Sequence, residues 1–275
     1  MSRLTSQDIR DIPAGLEAYD AELAVRTGCS LRALACRAVG MAEAELARLA
    51  RGVRTAVVPM DGGQGVLPGF AEALAAIAAR LGLEAWVTQP DVGGLAEAYE
   101  QDAGILLTAD DARFVAVNLR TRAVSDNSAA TARGFVTALE LLAGGLGGRE
   151  VLVLGCGPVG RAAARRLLER GAAPSLYDVR SERARLAASE LRSAGKEIRV
   201  EEDLEQALRR HRLLFDATPA PGFITERHIT PATCVAAPGV PLGLTSGALR
   251  SIGPRLVHDA LEIGTAVMLL EALIP

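Results

Sequence analysis

Three glycines in the second half of the chain have the type and spacing of a dinucleotide-binding turn. They follow an apolar run at 151–154 and open a segment of helical periodicity. In such a turn the first glycine permits a tight bend, the second lets the backbone approach a pyrophosphate, and the third lets helix and strand pack closely. Backbone N–H groups at the helix start attract the phosphates, although the same glycines would also suit a turn that binds nothing. The predicted cofactor contacts in this loop are Gly155, Cys156, Gly157, Pro158, Val159 and Gly160.

An acidic residue and three later segments extend the predicted cofactor site. Asp178 ends the next predicted strand, 18 residues beyond Gly160. A carboxylate there binds the ribose 2′-hydroxyl and repels a 2′-phosphate, so the sequence favours NAD over NADP. Ligands of open α/β sheets bind beyond the carboxyl ends of strands, where two proline-containing loops and the start of the last helix also lie. An ordinary turn or a helix cap is the alternative for each, and the predicted contacts are Ala217, Thr218, Pro219, Pro238, Gly239, Gly264 and Thr265.

Two adjacent carboxylates are candidates for acid–base chemistry in the first half of the chain. Asp110 and Asp111 follow a predicted strand at 105–108. Successive side chains of a strand point to opposite faces, so one of the two can face a cleft between domains. Aspartate is also a common turn residue before a second strand, and spacing alone leaves both roles open.

The composition excludes several classes of function. The chain has 275 residues, 49% of them hydrophobic and 23% charged, with a formal net charge of −3. This composition predicts a globular protein long enough for two domains, and neither a nucleic-acid partner nor a membrane partner is expected. Four cysteines without CxxC spacing and an N-terminus without an apolar signal segment predict a cytoplasmic protein. The three histidines have no ligand spacing, so no metal site is predicted.

The pattern of elements predicts an α/β protein with two domains. After residue 150 short apolar runs alternate with helical patterns, which is typical of a doubly wound parallel sheet of the Rossmann type. We therefore expect a smaller N-terminal α/β substrate domain at 1–126, a connector helix and loop at 127–148, and a Rossmann domain at 149–275. The N-terminal part is predicted to hold one helix from Leu4 to about Arg26, a second from Ser30, helices at 68–81 and 95–101, and four strands.

Several segments together resemble the PylD family of pyrrolysine-biosynthesis dehydrogenases. The segments are LTSQDI, VPMDGGQGVLPGF, QPDVGGLAEAYE, ILLTADDARFVAVNL, VLGCGPVG, DATP, APGVP and EIGTAVMLLEAL. The resemblance covers nearly the whole chain. It implies an NAD-dependent oxidation of the terminal amine carbon of 3-methyl-D-ornithyl-N6-L-lysine, followed by loss of ammonia and closure of the pyrroline ring.

The resemblance also assigns substrate contacts. It implies that Asp110 is the catalytic acceptor of the substrate's ammonium proton. Asn127 is expected to serve either the substrate pocket or the N-cap of the connector helix. The family carries Ser-Gly-Asn after its first strand, where this chain has Gly62-Gly63-Gln64 after Asp61, so the substrate contacts there are altered. The implied substrate-binding residues are Leu4, Asp61, Gly62, Gln64, Asp110 and Asn127.

Two other functions fit the same plan of domains. A cyclodeaminase, a shikimate-type reductase or another NAD-dependent amino-acid dehydrogenase would share the architecture. The first two are expected to offer a lysine near the cleft, and Lys196, the one lysine, lies in the predicted nucleotide domain. A non-enzymatic NAD(H)-sensing regulator is the third reading, and a homodimer is left open.

Overall fold

The N-terminal half folds around a mixed five-stranded sheet. The computed structural model describes residues 4–62, 67–192 and 198–274. The strand order is β2-β1-β3-β4-β5. The first three strands are parallel, β4 runs antiparallel to β3, and β5 runs antiparallel to β4. The strands are β1 (Arg54–Val58), β2 (Glu84–Val87), β3 (Ile105–Ala109), β4 (Phe114–Asn118) and β5 (Val124–Asp126).

Six helices accompany this sheet: α1 (Ser6–Ile9), α2 (Ile12–Thr27), α3 (Leu31–Val39), α4 (Glu43–Leu49), α5 (Phe70–Arg80) and α6 (Asp91–Glu100). The main core lies on one face of the sheet, where α3 and α5 contribute buried leucines and alanines. On the other face Ala98 of α6 packs with Ala56, Val58 and Leu106. The central strands β1 and β3 therefore bury residues on both faces, as parallel strands between helical layers do.

The predicted N-terminal helices differ from the observed ones in their bounds. The single helix expected from Leu4 to Arg26 is two helices, because Pro13 starts a new helix in its first turn and cannot continue the earlier one. The helix expected from residue 68 starts at Phe70, since Gly69 has a φ of +85°. The helix expected from residue 95 begins at Asp91 and includes two glycines that lower helix propensity. The sequence reading missed α4 and β5.

The C-terminal half confirms the expected doubly wound parallel sheet. Its strand order is β11-β10-β9-β6-β7-β8, and all pairs are parallel. The order reverses beside β6, which is the edge position at which α/β sheets bind ligands. The strands are β6 (Glu150–Leu154), β7 (Ala173–Tyr177), β8 (Arg199–Val200), β9 (Leu213–Asp216), β10 (Cys234–Ala237) and β11 (Leu256–His258). The helices are α8 (Pro158–Glu169), α9 (Ser181–Arg192), α10 (Leu204–Arg210) and α11 (Ser246–Ile252).

Two long helices join the halves. They are α7 (Asn127–Ala143) and α12 (Glu262–Leu273), which pack against each other. Although α12 follows the C-terminal sheet, it packs on α3, α5, β4 and β5 of the N-terminal half. Asn118 Nδ2 donates to the Ala272 carbonyl at 2.9 Å, and Arg133 pairs with Glu271 at 2.8 Å. The last described helix, α12, therefore packs on the N-terminal sheet.

Candidate functional site

The glycine turn has the geometry that dinucleotide binding requires. Gly155 has a φ of +86°, and its N–H donates to the Tyr177 carbonyl at 2.9 Å. A Cβ on Gly160 would stand 1.8 Å from the Gly155 carbonyl oxygen, so this close approach of helix and strand needs glycine. Apart from its two neighbours in the chain, no described residue has an atom within 4 Å of a Cβ built on Gly157. The protein's own packing therefore does not require a glycine at 157, whereas an approaching ligand would.

The start of α8 offers backbone donors next to this open position. Gly157 is the N-cap residue, and no described side chain caps the helix. Pro158 occupies the first turn, where its missing N–H is not needed. An uncapped helix N-terminus beside a glycine turn is suited to a pyrophosphate, so the residues present fit a dinucleotide.

Asp178 ties the glycine turn to the end of β7. Its Oδ2 accepts a hydrogen bond from the Cys156 N–H at 2.8 Å, and its Oδ1 accepts one from the Arg180 N–H at 2.9 Å. The carboxylate is half-buried beside the turn, where a ribose would lie. Burial raises the pKa of Cys156 to about 12, so this thiol stays protonated and is not a nucleophile.

The two proline loops predicted from the sequence contact each other and the glycine turn. The Ala217 N–H donates to the Leu154 carbonyl at 2.9 Å, and a Cβ on Gly155 would stand 3.0 Å from the Ala217 oxygen. A Cβ on Gly239 would stand 2.2 Å from the Thr218 oxygen. These loops therefore form one continuous rim at the carboxyl edge of the sheet. Pro219 and Pro238 belong to the same two loops.

The starts of α7 and α12 meet at a second part of the site. Asn127 Oδ1 accepts a hydrogen bond from Thr131 Oγ1 at 3.2 Å. A Cβ on Gly264 would stand 2.4 Å from that hydroxyl and 3.1 Å from Asn127 Oδ1. The structure thus brings a predicted substrate residue next to a predicted cofactor residue. Thr265 is fully buried one residue further along, and its hydroxyl has no hydrogen-bond partner among the described residues.

The N-cap of α7 is Asp126 and not Asn127. Asp126 has extended backbone dihedrals, and its carboxylate accepts a hydrogen bond from the Ser128 N–H at 3.0 Å. Because β5 runs into α7 without a loop, the cap lies one residue earlier than expected and Asn127 is already helical. The Asn127 side chain is therefore free of capping and available to a pocket.

Asp110 lies in the turn between β3 and β4. Its Oδ1 accepts hydrogen bonds from the N–H groups of Ala112 at 2.7 Å and Arg113 at 2.6 Å. These backbone donors, Arg113 first, hold the pKa of the Asp110 carboxyl below its usual range. The side chain is exposed, and no hydrogen bond within the described ranges joins it to Asn127 or to the glycine turn. The turn-forming role is therefore present in this structure, and the catalytic role stays a prediction.

The remaining predicted substrate residues lie in different surroundings. Leu4 packs at the edge of the main core. The Asp61 N–H donates to Asp91 Oδ1 at 3.0 Å, and both Asp61 and Gly62 are exposed. Gln64 lies outside the described residues.

The sequence analysis did not predict a role for two buried acids at the carboxyl ends of β9 and β11. Asp216 ends β9 with no exposed surface, and burial raises its pKa to about 6. An aspartate two residues before a threonine at a strand end is a local signal for it. Asp259 accepts a hydrogen bond from Tyr19 Oη at 2.7 Å, and burial, then the nearby Glu262 carboxylate, raise the pKa of Asp259 well above its usual value. Tyr19 is 240 residues away, so no local signal exists.

Two other classes of site are absent from the described part of the chain. No group of three or more His, Cys, Asp or Glu residues there could hold a metal ion, and all four cysteines are free. Among the helices that the structure describes, none is both long and apolar enough to cross a membrane.

Comparisons with known proteins find relatives of the N-terminal half and of nearly the whole chain. Residues 8–125 match the family model of the N-terminal domain of the pyrrolysine biosynthesis protein PylD. Proteins named pyrrolysine synthase from Methanosarcina acetivorans and Methanosarcina barkeri are each 28% identical. The first alignment covers 99% of this chain and all of the relative, and the second covers 99% and 98%.

Solved structures share the fold at lower identity. A quinate dehydrogenase from Corynebacterium glutamicum, solved with NAD, is 16% identical with a TM-score of 0.55 and covers 81% of this chain and 93% of its own. A shikimate dehydrogenase from Aquifex aeolicus is 17% identical with a TM-score of 0.55 and covers 82% and 93%. These likenesses concern the arrangement of the two α/β halves.

Proposed function

We infer the function of this chain from its similarity to the PylD family, whose N-terminal domain model matches residues 8–125. The chain is an enzyme of pyrrolysine biosynthesis with a dehydrogenase-type fold. Its finer activity, in our proposal, is the last step of that synthesis. The enzyme would oxidise the terminal amine carbon of 3-methyl-D-ornithyl-N6-L-lysine with NAD⁺ and form the pyrroline ring.

The atoms of the proposed reaction balance without a further reagent beyond water. The terminal carbon loses a hydride and its nitrogen loses a proton, which leaves an imine. Water replaces the nitrogen, so ammonia and an aldehyde are released. The neighbouring amine then condenses with the aldehyde and water leaves as the ring closes. NAD⁺, when bound, supplies the hydride acceptor.

The chain's own residues would bind and orient the reactants. The start of α8 and the glycine turn hold the pyrophosphate, and Asp178 accepts a hydrogen bond from the ribose. The loops at 217–219 and 238–239, which contact each other, would border the nicotinamide half. The substrate carries ammonium groups, which a carboxylate attracts and an amide oxygen can hold. Asp110 and Asn127 are the proposed partners.

The deprotonation of the amine decides how fast the hydride can leave. Nitrogen must push its lone pair into the forming C=N bond, so the ammonium proton has to be removed first. Asp110 is exposed and ionised at neutral pH because backbone donors lower its pKa. It therefore attracts an ammonium group strongly, and it becomes an effective proton acceptor only where a bound substrate shields it from water.

The observation that carries the proposal is the open position at Gly157 at the start of an uncapped helix, in a chain whose residues 8–125 match the PylD N-terminal domain. The test is to incubate purified protein with the isopeptide and NAD⁺. The expected result is NADH, ammonia and a product with the mass of the ring compound. Reactions with lysine or with shikimate replacing the isopeptide are the controls. NADH from shikimate but not from the isopeptide would contradict the proposal and favour a reductase of the neighbouring fold.

A further inference from the structure

Asp216 makes more loop contacts than a strand-terminating residue needs. It has no exposed surface at the carboxyl end of β9. Its Oδ1 accepts two hydrogen bonds from Thr218, one from the N–H at 3.0 Å and one from the hydroxyl at 2.7 Å. Its backbone oxygen accepts a third from the Gly239 N–H at 3.0 Å. One buried residue therefore connects the loops that follow β9 and β10.

The second carboxylate oxygen faces a third loop. A Cβ on Gly243 would stand 2.2 Å from Asp216 Oδ2 and 2.6 Å from the Phe223 ring, so the backbone at 243 is packed directly on the acid. A buried carboxylate without a neighbouring cation is expensive for the folded state. No Arg, Lys or His among the described residues affects the pKa of Asp216, and burial is the one cause that raises this pKa. The folded state therefore contains an energetically unfavourable buried carboxylate at the rim of the proposed cofactor site.

The consequence of these bonds is a single orientation for the Thr218 side chain. Asp216 accepts hydrogen bonds from both the N–H and the hydroxyl of Thr218. These bonds fix the backbone and the χ1 angle of Thr218. Its methyl group then lies against the glycine turn, since a Cβ on Gly155 would stand 3.2 Å from Thr218 Cγ2. Thr218 thus presents an apolar wall between the glycine turn and the loop of Gly239.

We propose that Asp216 is a positioning residue that acts through Thr218 to hold this wall in place for the nicotinamide half of the cofactor. This inference rests on the proposed use of NAD. The adenine and pyrophosphate half binds at the glycine turn and Asp178, which Asp216 does not touch. Asp216 itself does not contact the glycine turn, so its substitution should weaken binding of the nicotinamide half more than binding of the ADP-ribose half.

The test compares two probes that share the adenosine half. NADH and ADP-ribose are titrated by calorimetry against the wild type, Asp216→Ala and Thr218→Val. Without these bonds Thr218 can move, and loss of its contact with the nicotinamide half should cost on the order of tenfold in affinity. We expect NADH to bind about tenfold more weakly to each variant, while the affinity for ADP-ribose falls by much less. The double variant should lose little more than either single variant, because both remove the same link.

Two further variants separate positioning from a general structural effect. Asp216→Asn keeps an acceptor oxygen for Thr218 and should recover most of the NADH affinity. Asp20 is the matched control, since it is also a buried acid that accepts a backbone N–H, at 2.5 Å from Leu31, but it lies in the N-terminal half. Asp20→Asn should lower the thermal midpoint and leave both affinities unchanged.

The outcomes distinguish this inference from the proposed function. A wild-type protein that binds neither probe overturns the use of NAD itself. A wild type that binds both, with Asp216→Ala and Thr218→Val weakening the probes equally or not at all, overturns the role of Asp216. Circular dichroism reports whether Asp216→Ala folds, and Thr218→Val carries the test alone where it does not.

Discussion

Asp110 is a single residue for which one substitution separates two roles. Its Oδ1 accepts two backbone N–H groups, and asparagine keeps that oxygen, so Asp110→Asn should fold and bind NAD normally. An amide cannot take the ammonium proton, and kcat should fall on the order of 10²–10⁴-fold. The measurement is kcat of Asp110→Asn and Asp111→Asn, with circular dichroism as the folding control. A retained rate above about a tenth would mean that Asp110 only forms the turn.

Asp178 is the residue that should decide between NAD and NADP. Its carboxylate accepts hydrogen bonds from the Cys156 and Arg180 N–H groups beside the glycine turn, and it would repel a 2′-phosphate on a ribose bound there. We expect calorimetric titration to give tighter binding of NAD than of NADP, and Asp178→Ala to weaken NAD and narrow the difference. Because the carboxylate also accepts the Cys156 N–H, the variant's thermal midpoint is the control for loop distortion. Equal or tighter binding of NADP to the wild type would contradict the assignment.

Asp216 should give the folding stability a measurable pH dependence. Burial raises its pKa from the ordinary value of 3.8 to about 6, so the folded state holds this proton more tightly than the unfolded state. Its contribution is fully present below about pH 4 and is lost as the pH rises through 6, a change of about 3 kcal/mol. Asparagine has no such titration. In urea unfolding, the free energy of unfolding of the wild type should therefore fall relative to that of Asp216→Asn between about pH 4 and 7. A constant difference would show that Asp216 stays ionised.

At the scale of elements, the turn between β6 and α8 combines two glycines that are needed for different reasons. Gly160 is required by the fold, because its Cβ would stand 1.8 Å from a carbonyl oxygen, whereas Gly157 faces open space. Gly160→Ala should therefore lower the free energy of unfolding, whereas Gly157→Ala should keep stability and lose NAD affinity. Chemical denaturation and calorimetry on the same samples measure both quantities. Unchanged NAD binding in Gly157→Ala would remove the support for a pyrophosphate at this turn.

For the whole molecule we predict that the two halves close over the substrate. The acid-bearing turn lies in one half and the glycine turn in the other, so reactants have to be brought together. Gly62 and residues 144–148 lie in segments that connect elements, whereas Gly93 and Gly94 lie inside α6. Gly94 serves packing there, since its Cβ would stand 1.9 Å from the Gln89 oxygen.

Small-angle scattering measures such a closure. The radius of gyration should fall when NAD and the isopeptide are both present, and less with NAD alone. Because α12 packs on both α7 and the N-terminal sheet, we expect the halves to rotate about these two helices. The same radius of gyration in all three states, together with unchanged angles between the halves in crystal structures, would contradict it.

The sequence by itself determined the features that depend on neighbours in the chain. The glycine turn, the acid at 178 and the alternation of strands and helices after residue 150 are local, because turn geometry and periodicity are set within a few residues. The doubly wound sheet followed from them. The bounds of the N-terminal helices were less accurate, because one proline and several glycines decide where each helix starts.

Only the tertiary structure decided which side chains meet. Asn127 lies beside Gly264, Tyr19 bonds to Asp259 and Gly239 packs on Thr218, although long stretches of chain separate the members of the first two pairs. It also decided that Asp126 rather than Asn127 caps α7, because the strand before it leaves no room for a loop. Such pairings depend on how elements pack, and burial, which gives Asp216 its raised pKa, exists only once that packing has formed.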